Sequence, residues 1–234
     1  MNHLRKASVV AILPAAGSGQ RFGASENKLF SLLAGEPLWL HSVRKLDARC
    51  EVGRVILAVS RKDLPKFEKQ LDTAAPGMRV DFVIGGSERI DSVQAALDSV
   101  REQKGLEWVA VHDAARPLVS NIDLDRIFSS VLETGAAILA TPVSGTLKRE
   151  MDDPKRIETV DRRRIWIALT PQVFRLGLLK QAYSKHNGCP ATDDAQLMER
   201  LGHEVKLVVG SADNLKITYP ADLPVAEAIL SRNQ

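Results

Sequence analysis

The stretch ILPAAGSGQRFGASENKLF places Ala15, Ala16, Gly17, Ser18 and Gly19 ahead of a guanidinium, Arg21, and an ammonium, Lys28. Small residues let backbone N–H groups come close to phosphate oxygens, and glycine permits the positive φ angles of an anion-cupping loop. Two cations in the same loop could neutralise charge that builds up as a pyrophosphate departs. This reading predicts a nucleoside triphosphate loop from Pro14 to Lys28; the alternative is a glycine-rich connection with solvated charges. Two familiar phosphate motifs are absent. In a GxGxxG register starting at Gly17 the third glycine falls on Phe22, and Gly23 is followed by Ala24 and Ser25 where a GxxxxGK loop needs lysine.

Three further segments carry polar groups that could share a site with this loop. In GGSERIDSVQAAL, Gly85 and Gly86 open a turn and Asp91-Ser92 begin a patterned helix, so the free N–H groups with Ser87 and Ser92 suit a sugar or base edge, or simple capping. In VHDAARP, Asp113 ends an apolar run and is the first choice for holding Mg²⁺, which takes one or two protein oxygens and otherwise prefers phosphate and water. His112 reads more as a structural histidine than a catalyst, and Arg116 as either a phosphate ligand or a loop tie. In SADNLKITYP, Lys216 leaves a late strand edge from which an ammonium can reach the same crevice.

The elements that must position these groups are short β-branched runs alternating with helical spacing. Strands are expected at Val9 to Leu13, Arg54 to Val59, Arg79 to Ile84, Trp108 to Val111 and Ala136 to Thr141, with helices such as Leu38 to Leu46 and Asp91 to Val100 between them. This is the βαβα rhythm of an α/β fold with a doubly wound, mostly parallel sheet, in which ligands lie beyond the carboxyl ends of the strands. The loops after the first, third and fourth strands therefore carry the site. From Pro142 to about Ile165 the rhythm breaks into a charged segment without a clear helix, an extended arm that is either a surface excursion or an oligomerisation element. Helical patterns resume from Pro171 and from Asp193, strands follow at Val205 to Val209 and Leu215 to Thr218, and a last helix runs from Pro220.

The bulk properties set the remaining expectations. With 234 residues, 44% hydrophobic and 26% charged, the chain suits one domain, 1–234, with an arm at about 142–165. A net charge of +3 is too slight to imply nucleic acid. The apolar run Val9 to Leu13 is too short for a signal segment or membrane span, and Cys50 and Cys189 belong to no CxxC pair, so a cytoplasmic protein without membrane attachment is expected.

Taken together, PAAGSGQRF with Lys28, GGSERIDSV, VHDAARP, TPVSGTLKR, ALTPQVF, ATDDA and ADNLKIT resemble, in this order and over nearly the whole chain, the 2-C-methyl-D-erythritol 4-phosphate cytidylyltransferase family. The resemblance implies a Rossmann-like nucleotidyltransferase fold and a step of the non-mevalonate isoprenoid route. In that step the 4-phosphate of methylerythritol phosphate attacks the α-phosphorus of CTP in the presence of Mg²⁺, releasing pyrophosphate. Carried over by position, it implies that Arg21, Lys28 and Lys216 are catalytic. The Ala15 to Gly19 backbone, Gly86, Ser87, Ser92, Asp113 and Arg116 would bind nucleotide, with Asp113 also on the metal. Thr146, Arg162, Thr170 and Thr192 would bind the acceptor, and the arm would swap between two subunits of a homodimer. The chain departs from the family in having Ser87 where aspartate is frequent, and Arg162 is followed by Arg163 and Arg164. A ribitol 5-phosphate cytidylyltransferase is the rival within the fold, and a module that only binds nucleotide is the rival outside it.

Overall fold

Val9, Ala11 and Leu13 pack into one hydrophobic cluster, while Val10 and Ile12 pack into another on the opposite side. A strand buried on both faces is covered by helices on both faces, which is why its sequence is a continuous apolar run rather than an alternation. The computed structural model describes residues 4–17, 22, 26–100, 105–153 and 155–232.

In chain order, β1 (Val9–Pro14) leads to a 3-10 turn (Lys28–Phe30) and a small hairpin of β2 (Leu32–Leu33) and β3 (Glu36–Pro37). Then come α1 (Leu38–Asp47), β4 (Val52–Val59), α2 (Leu64–Ala74), β5 (Asp81–Ile84), α3 (Arg89–Ser99), β6 (Trp108–Val111), α4 (Asn121–Thr134) and β7 (Ala136–Pro142). The arm carries β8 (Leu147–Glu150) and β9 (Ile157–Val160), and β10 (Trp166–Arg175), α5 (Leu176–Ser184), α6 (Asp194–Arg200), β11 (Lys206–Val209) and α7 (Asp222–Arg232) complete the chain.

Among the described residues seven strands form one sheet in the order β11-β7-β10-β6-β1-β4-β5. Every pairing is parallel except those of β10, which runs antiparallel between β6 and β7. The α/β, doubly wound, mostly parallel expectation holds. Buried residues of α1, α2 and α4 cover one face, with Ala226 of α7, and those of α3, α5 and α6 cover the other.

Two expected elements are corrected. Pro171 does not begin a helix: Leu169 to Phe174 are buried within β10, and α5 starts at Leu176. Proline lacks the N–H of a sheet ladder, and Pro171 falls in the irregularity of the β7–β10 register between Ala168 and Gln172, where that N–H is not needed. Leu215 to Thr218 is not a strand, because it lies against loop backbone: the Ile217 N–H donates to Ala115 O at 2.9 Å and no ladder forms.

The charged segment is extended. β8 and β9 form an exposed two-stranded antiparallel hairpin, tied by Arg149–Glu158 at 2.7 Å and by Lys148 Nζ donating to Thr159 Oγ1 at 2.7 Å. Ile157 at its outer end is 65% exposed. No helix among the described residues is long and apolar enough to cross a membrane.

Candidate active site

The carboxyl ends of β1, β5 and β6 hand the chain to three loops that meet at one edge of the sheet. Backbone bonds hold them there: Ala15 N–H donates to Ala58 O at 2.7 Å, Gly85 N–H to Val59 O at 2.9 Å, and His112 N–H to Ile12 O at 2.9 Å. Between the loops lies a cleft of about 510 Å³, within the range of small-molecule sites. Ala15, Ala16, Gly17, Lys28, Ser87, Ser92, Asp113 and Lys216 line it, so much of the chemistry-bearing set named from sequence converges on one place. Arg21 and Gly19 lie outside the described residues.

Local rules explain how each wall is built. Asn27 caps the 3-10 turn by accepting from Leu29 N–H at 3.1 Å, and its amide donates to Asp63 Oδ2 at 3.1 Å, fixing the turn that carries Lys28. Lys28 Nζ in turn donates to Ile217 O at 2.7 Å, linking the first loop to the segment that carries Lys216. On the opposite wall Glu88 caps α3 and forms a reciprocal box with Asp91. A Cβ on Gly86 would meet Asp91 Cβ at 2.2 Å and one on Gly85 would meet Ser92 Oγ at 2.6 Å, so the turn can approach the helix only as glycine. Ser87 Oγ donates to Asp91 Oδ2 at 3.2 Å and Ser92 Oγ to Glu88 O at 3.1 Å. Both serines therefore serve the cap while facing the cleft.

The floor is a cluster of charge around Asp113. Its Oδ1 accepts from Arg89 Nε at 3.2 Å, and its Oδ2 lies 2.8 Å from Lys216 Nζ and 3.5 Å from Arg116 Nε. Burial by itself would raise this carboxyl, but the three cations outweigh it and hold it far below the usual carboxylate range. Beneath it, burial pushes the His112 imidazole down to about 4. His112 Nε2 donates to Arg116 O at 3.0 Å, which leaves Nδ1 to accept from Thr170 Oγ1 at 3.0 Å. Thr170 Oγ1 also accepts from the Asp113 N–H at 3.0 Å. His112 is thus a neutral structural brace, as its sequence position suggested.

The model of the 2-C-methyl-D-erythritol 4-phosphate cytidylyltransferase family matches residues 9–232. The chain belongs to this family. A relative of that name from Rhodopirellula baltica is 52% identical over 234 residues, covering 96% of each chain. One from Bacillus velezensis is 39% identical over 94% of this chain and 95% of its own. A crystal structure from Anaerococcus prevotii, described as a 4-diphosphocytidyl-2C-methyl-D-erythritol synthase, superposes with a TM-score of 0.82 at 27% identity, covering 96% of this chain and 98% of that one.

Within this cytidylyltransferase the remaining sequence-named residues stand off the cleft lining. Arg116 is buried and its Nη1 donates to Asn214 O at 2.7 Å, which favours the loop-tying role over phosphate binding. Thr170 is buried under Asp113, its hydroxyl already shared between two partners. Thr192 is exposed ahead of α6, its N–H donating to Gln196 Oε1 at 2.9 Å. Thr146 and Arg162 are exposed on the arm, with Arg162 donating to Ser144 O and Arg163 paired to Asp161 at 2.6 Å. Gly86 sits in the turn behind Ser87.

Sequence reasoning gave no role to Arg89, which lines the cleft between two carboxylates, Asp113 and Asp194. A signal was present: a cation in the first turn of a helix opposes the macrodipole, so it needs anionic partners. Among the described residues no group of three His, Cys, Asp or Glu is placed to hold a metal. Asp113 is the cleft-floor carboxylate that would hold Mg²⁺; both its oxygens already face cations, so a bound ion would take most of its ligands from substrate phosphates and water.

Proposed function

We propose that this cleft transfers the cytidylyl group of CTP to 2-C-methyl-D-erythritol 4-phosphate, releasing pyrophosphate and giving 4-CDP-2-C-methyl-D-erythritol for isoprenoid synthesis. The observation that carries the reading is the placement of two cations in one cleft, Lys28 on the wall built by the first loop and Lys216 at the floor on Asp113, joined by the bond from Lys28 Nζ to Ile217 O. The acceptor phosphate is already an anion, so no strong general base is needed and catalysis consists of positioning and charge neutralisation. That suits a site rich in cations and amides in which the one histidine at the floor is neutral and buried.

The Ala15 to Gly17 backbone cups the triphosphate, and Gly19 and Arg21, next in the sequence, complete the phosphate-binding set. Among the described residues nothing lies within 4 Å of where a Cβ on Gly17 would sit, which supports a phosphate beside that backbone. The turn at Gly86 and Ser87, with Ser92, receives the cytosine and ribose. Lys28 stabilises charge on the departing pyrophosphate, and Lys216 moves between Asp113 and the α-phosphate. Asp113 would hold Mg²⁺ together with the substrate's phosphates, and the ion would supply charge screening for the transfer. The acceptor is bound by Thr192 and by Thr146 and Arg162 of a partner's arm, with Thr170 acting from beneath. The exposed hairpin, with its apolar Ile157, supports a homodimer of single-domain subunits. The two free cysteines suit a reducing cytoplasm.

Pyrophosphate release with CTP and each polyol phosphate tests the reading. Turnover with methylerythritol phosphate is expected, and turnover with ribitol 5-phosphate alone would overturn it.

A further inference from the structure

Behind the cleft floor a chain of polar contacts runs from α5 to Lys216. Tyr183, buried on α5, donates through its hydroxyl to Asp194 Oδ1 at 2.5 Å. Asp194, at the start of α6, is fully buried, and its Oδ2 lies 2.8 Å from Arg89 Nη2. Arg89 Nε reaches Asp113 Oδ1 at 3.2 Å, and Asp113 Oδ2 holds Lys216 at 2.8 Å. Burial raises the Tyr183 phenol well above its ordinary value, and Asp194 adds to this, so the hydroxyl keeps its proton to donate.

Arg89 is the shared member of this chain, paired with both Asp113 and Asp194. The start of α6 is pinned to β10, since Gln172 Nε2 donates to Asp193 Oδ2 at 2.8 Å and Gln172 Oε1 accepts from Ala195 N–H at 3.1 Å. The Arg89–Asp194 contact is a close charge pair in which neither Nη2 nor Oδ2 completes a directed hydrogen bond. One guanidinium is therefore shared between two carboxylates, and whatever satisfies Asp194 decides how much of Arg89 is left for Asp113.

We propose that Tyr183 is a positioning residue whose hydroxyl, through Asp194 and Arg89, sets how firmly Asp113 holds Lys216 and hence how readily that ammonium reaches substrate. The ring itself belongs to the core beside α5 and α6, which phenylalanine would fill equally well. The hydroxyl alone carries the effect. Without it, the buried Asp194 carboxylate draws Arg89 toward itself, Asp113 loses a partner, and Lys216 is gripped more tightly. With Asp194 neutralised, Arg89 turns to Asp113 and Lys216 is loosened.

The proposal takes from the proposed function only that Lys216 serves the cleft, and its test has a readout independent of turnover. The rate at which an acetyl N-hydroxysuccinimide ester acylates Lys216 in the intact protein is followed by peptide mass spectrometry. Tyr183→Phe is expected to slow that rate several-fold and Asp194→Asn to speed it, while the double variant behaves like Asp194→Asn alone. A general loosening of the core would shift both single variants the same way, and that result, or an unchanged rate in Tyr183→Phe, overturns the relay. If Asp194→Asn does not fold, the Tyr183→Phe rate alone decides. In turnover, Tyr183→Phe should lower kcat with the KM for CTP unchanged. Absence of turnover in the unmodified enzyme would sink the proposed function and leave the acylation rates to judge the relay.

Discussion

Lys216 Nζ lies 2.8 Å from Asp113 Oδ2, so a cation facing the cleft rests on a carboxylate that two arginines also contact. The two ends of this pair differ in surroundings: the Lys216 side chain is 37% exposed and that of Asp113 only 10%. Removing the lysine leaves Asp113 with Arg89 and Arg116, whereas removing the carboxylate leaves cations facing one another at the floor. Lys216→Ala should therefore cost under about 1 kcal/mol of stability and roughly a hundredfold in kcat. Asp113→Asn should lose activity and also about 3–5 kcal/mol of stability. Urea unfolding beside pyrophosphate release checks both, and equal stability losses would contradict the account of the floor.

In the proposed reaction Lys28 meets charge that appears only as pyrophosphate leaves, and an interaction of that kind raises kcat without tightening ground-state binding. Lys28→Ala should lower kcat by about 10²–10³-fold while CTP affinity by calorimetry falls far less. Proportional losses in kcat and affinity would remove the transition-state role. Because Lys28 Nζ also donates to Ile217 O, Lys28→Arg serves as the companion variant: it keeps the charge and tests whether the position of the ammonium matters.

What the sequence made legible depended on how local the cause was. The strands β1, β4 and β6 announce themselves because burial on both faces forces unbroken runs such as VVAIL and VILAV. Lys28 and Asp113 were legible because each follows a strand end within a recognisable loop. Arg89 was not, since its partners Asp113 and Asp194 arrive from distant parts of the chain. Leu215 to Thr218 has the composition of a strand, but its neighbour is the Ala115 loop carbonyl rather than another strand. Pro171 looked like a helix start only because the pairing gap that admits it is a property of the assembled sheet.

Burial moves the His112 imidazole from its ordinary 6.5 down to about 4. Between those values the unfolded chain takes up a proton that the folded protein refuses, so stability is intact above the upper value and falls as pH drops through the window. At pH 5 the loss should amount to about 2 kcal/mol. The depressed carboxyls of Asp113 and Glu51 contribute only as unfolded carboxylates protonate, mainly below this range. Urea midpoints at pH 7, 6 and 5 should decline accordingly, and His112→Gln should flatten the slope. An equal slope in that variant would show that another group is responsible.

The arm offers a test of assembly that needs no structure of a complex. If Arg162 completes the site of a partner subunit, an Arg162→Ala chain has an intact cleft but a defective arm, and a Lys28→Ala chain has the reverse. Each alone should be nearly inactive. In a two-fold dimer that pairs them, one site combines the good cleft with the good arm and the other combines both defects. Random mixing should then restore about a quarter of the original activity, since about half the dimers are mixed and each has one working site of two. Co-expressed, separately tagged chains measured by pyrophosphate release give the answer. No recovery in purified mixed dimers would mean that the arm serves its own cleft, and a monomer in sedimentation would rule out a swapped arm altogether.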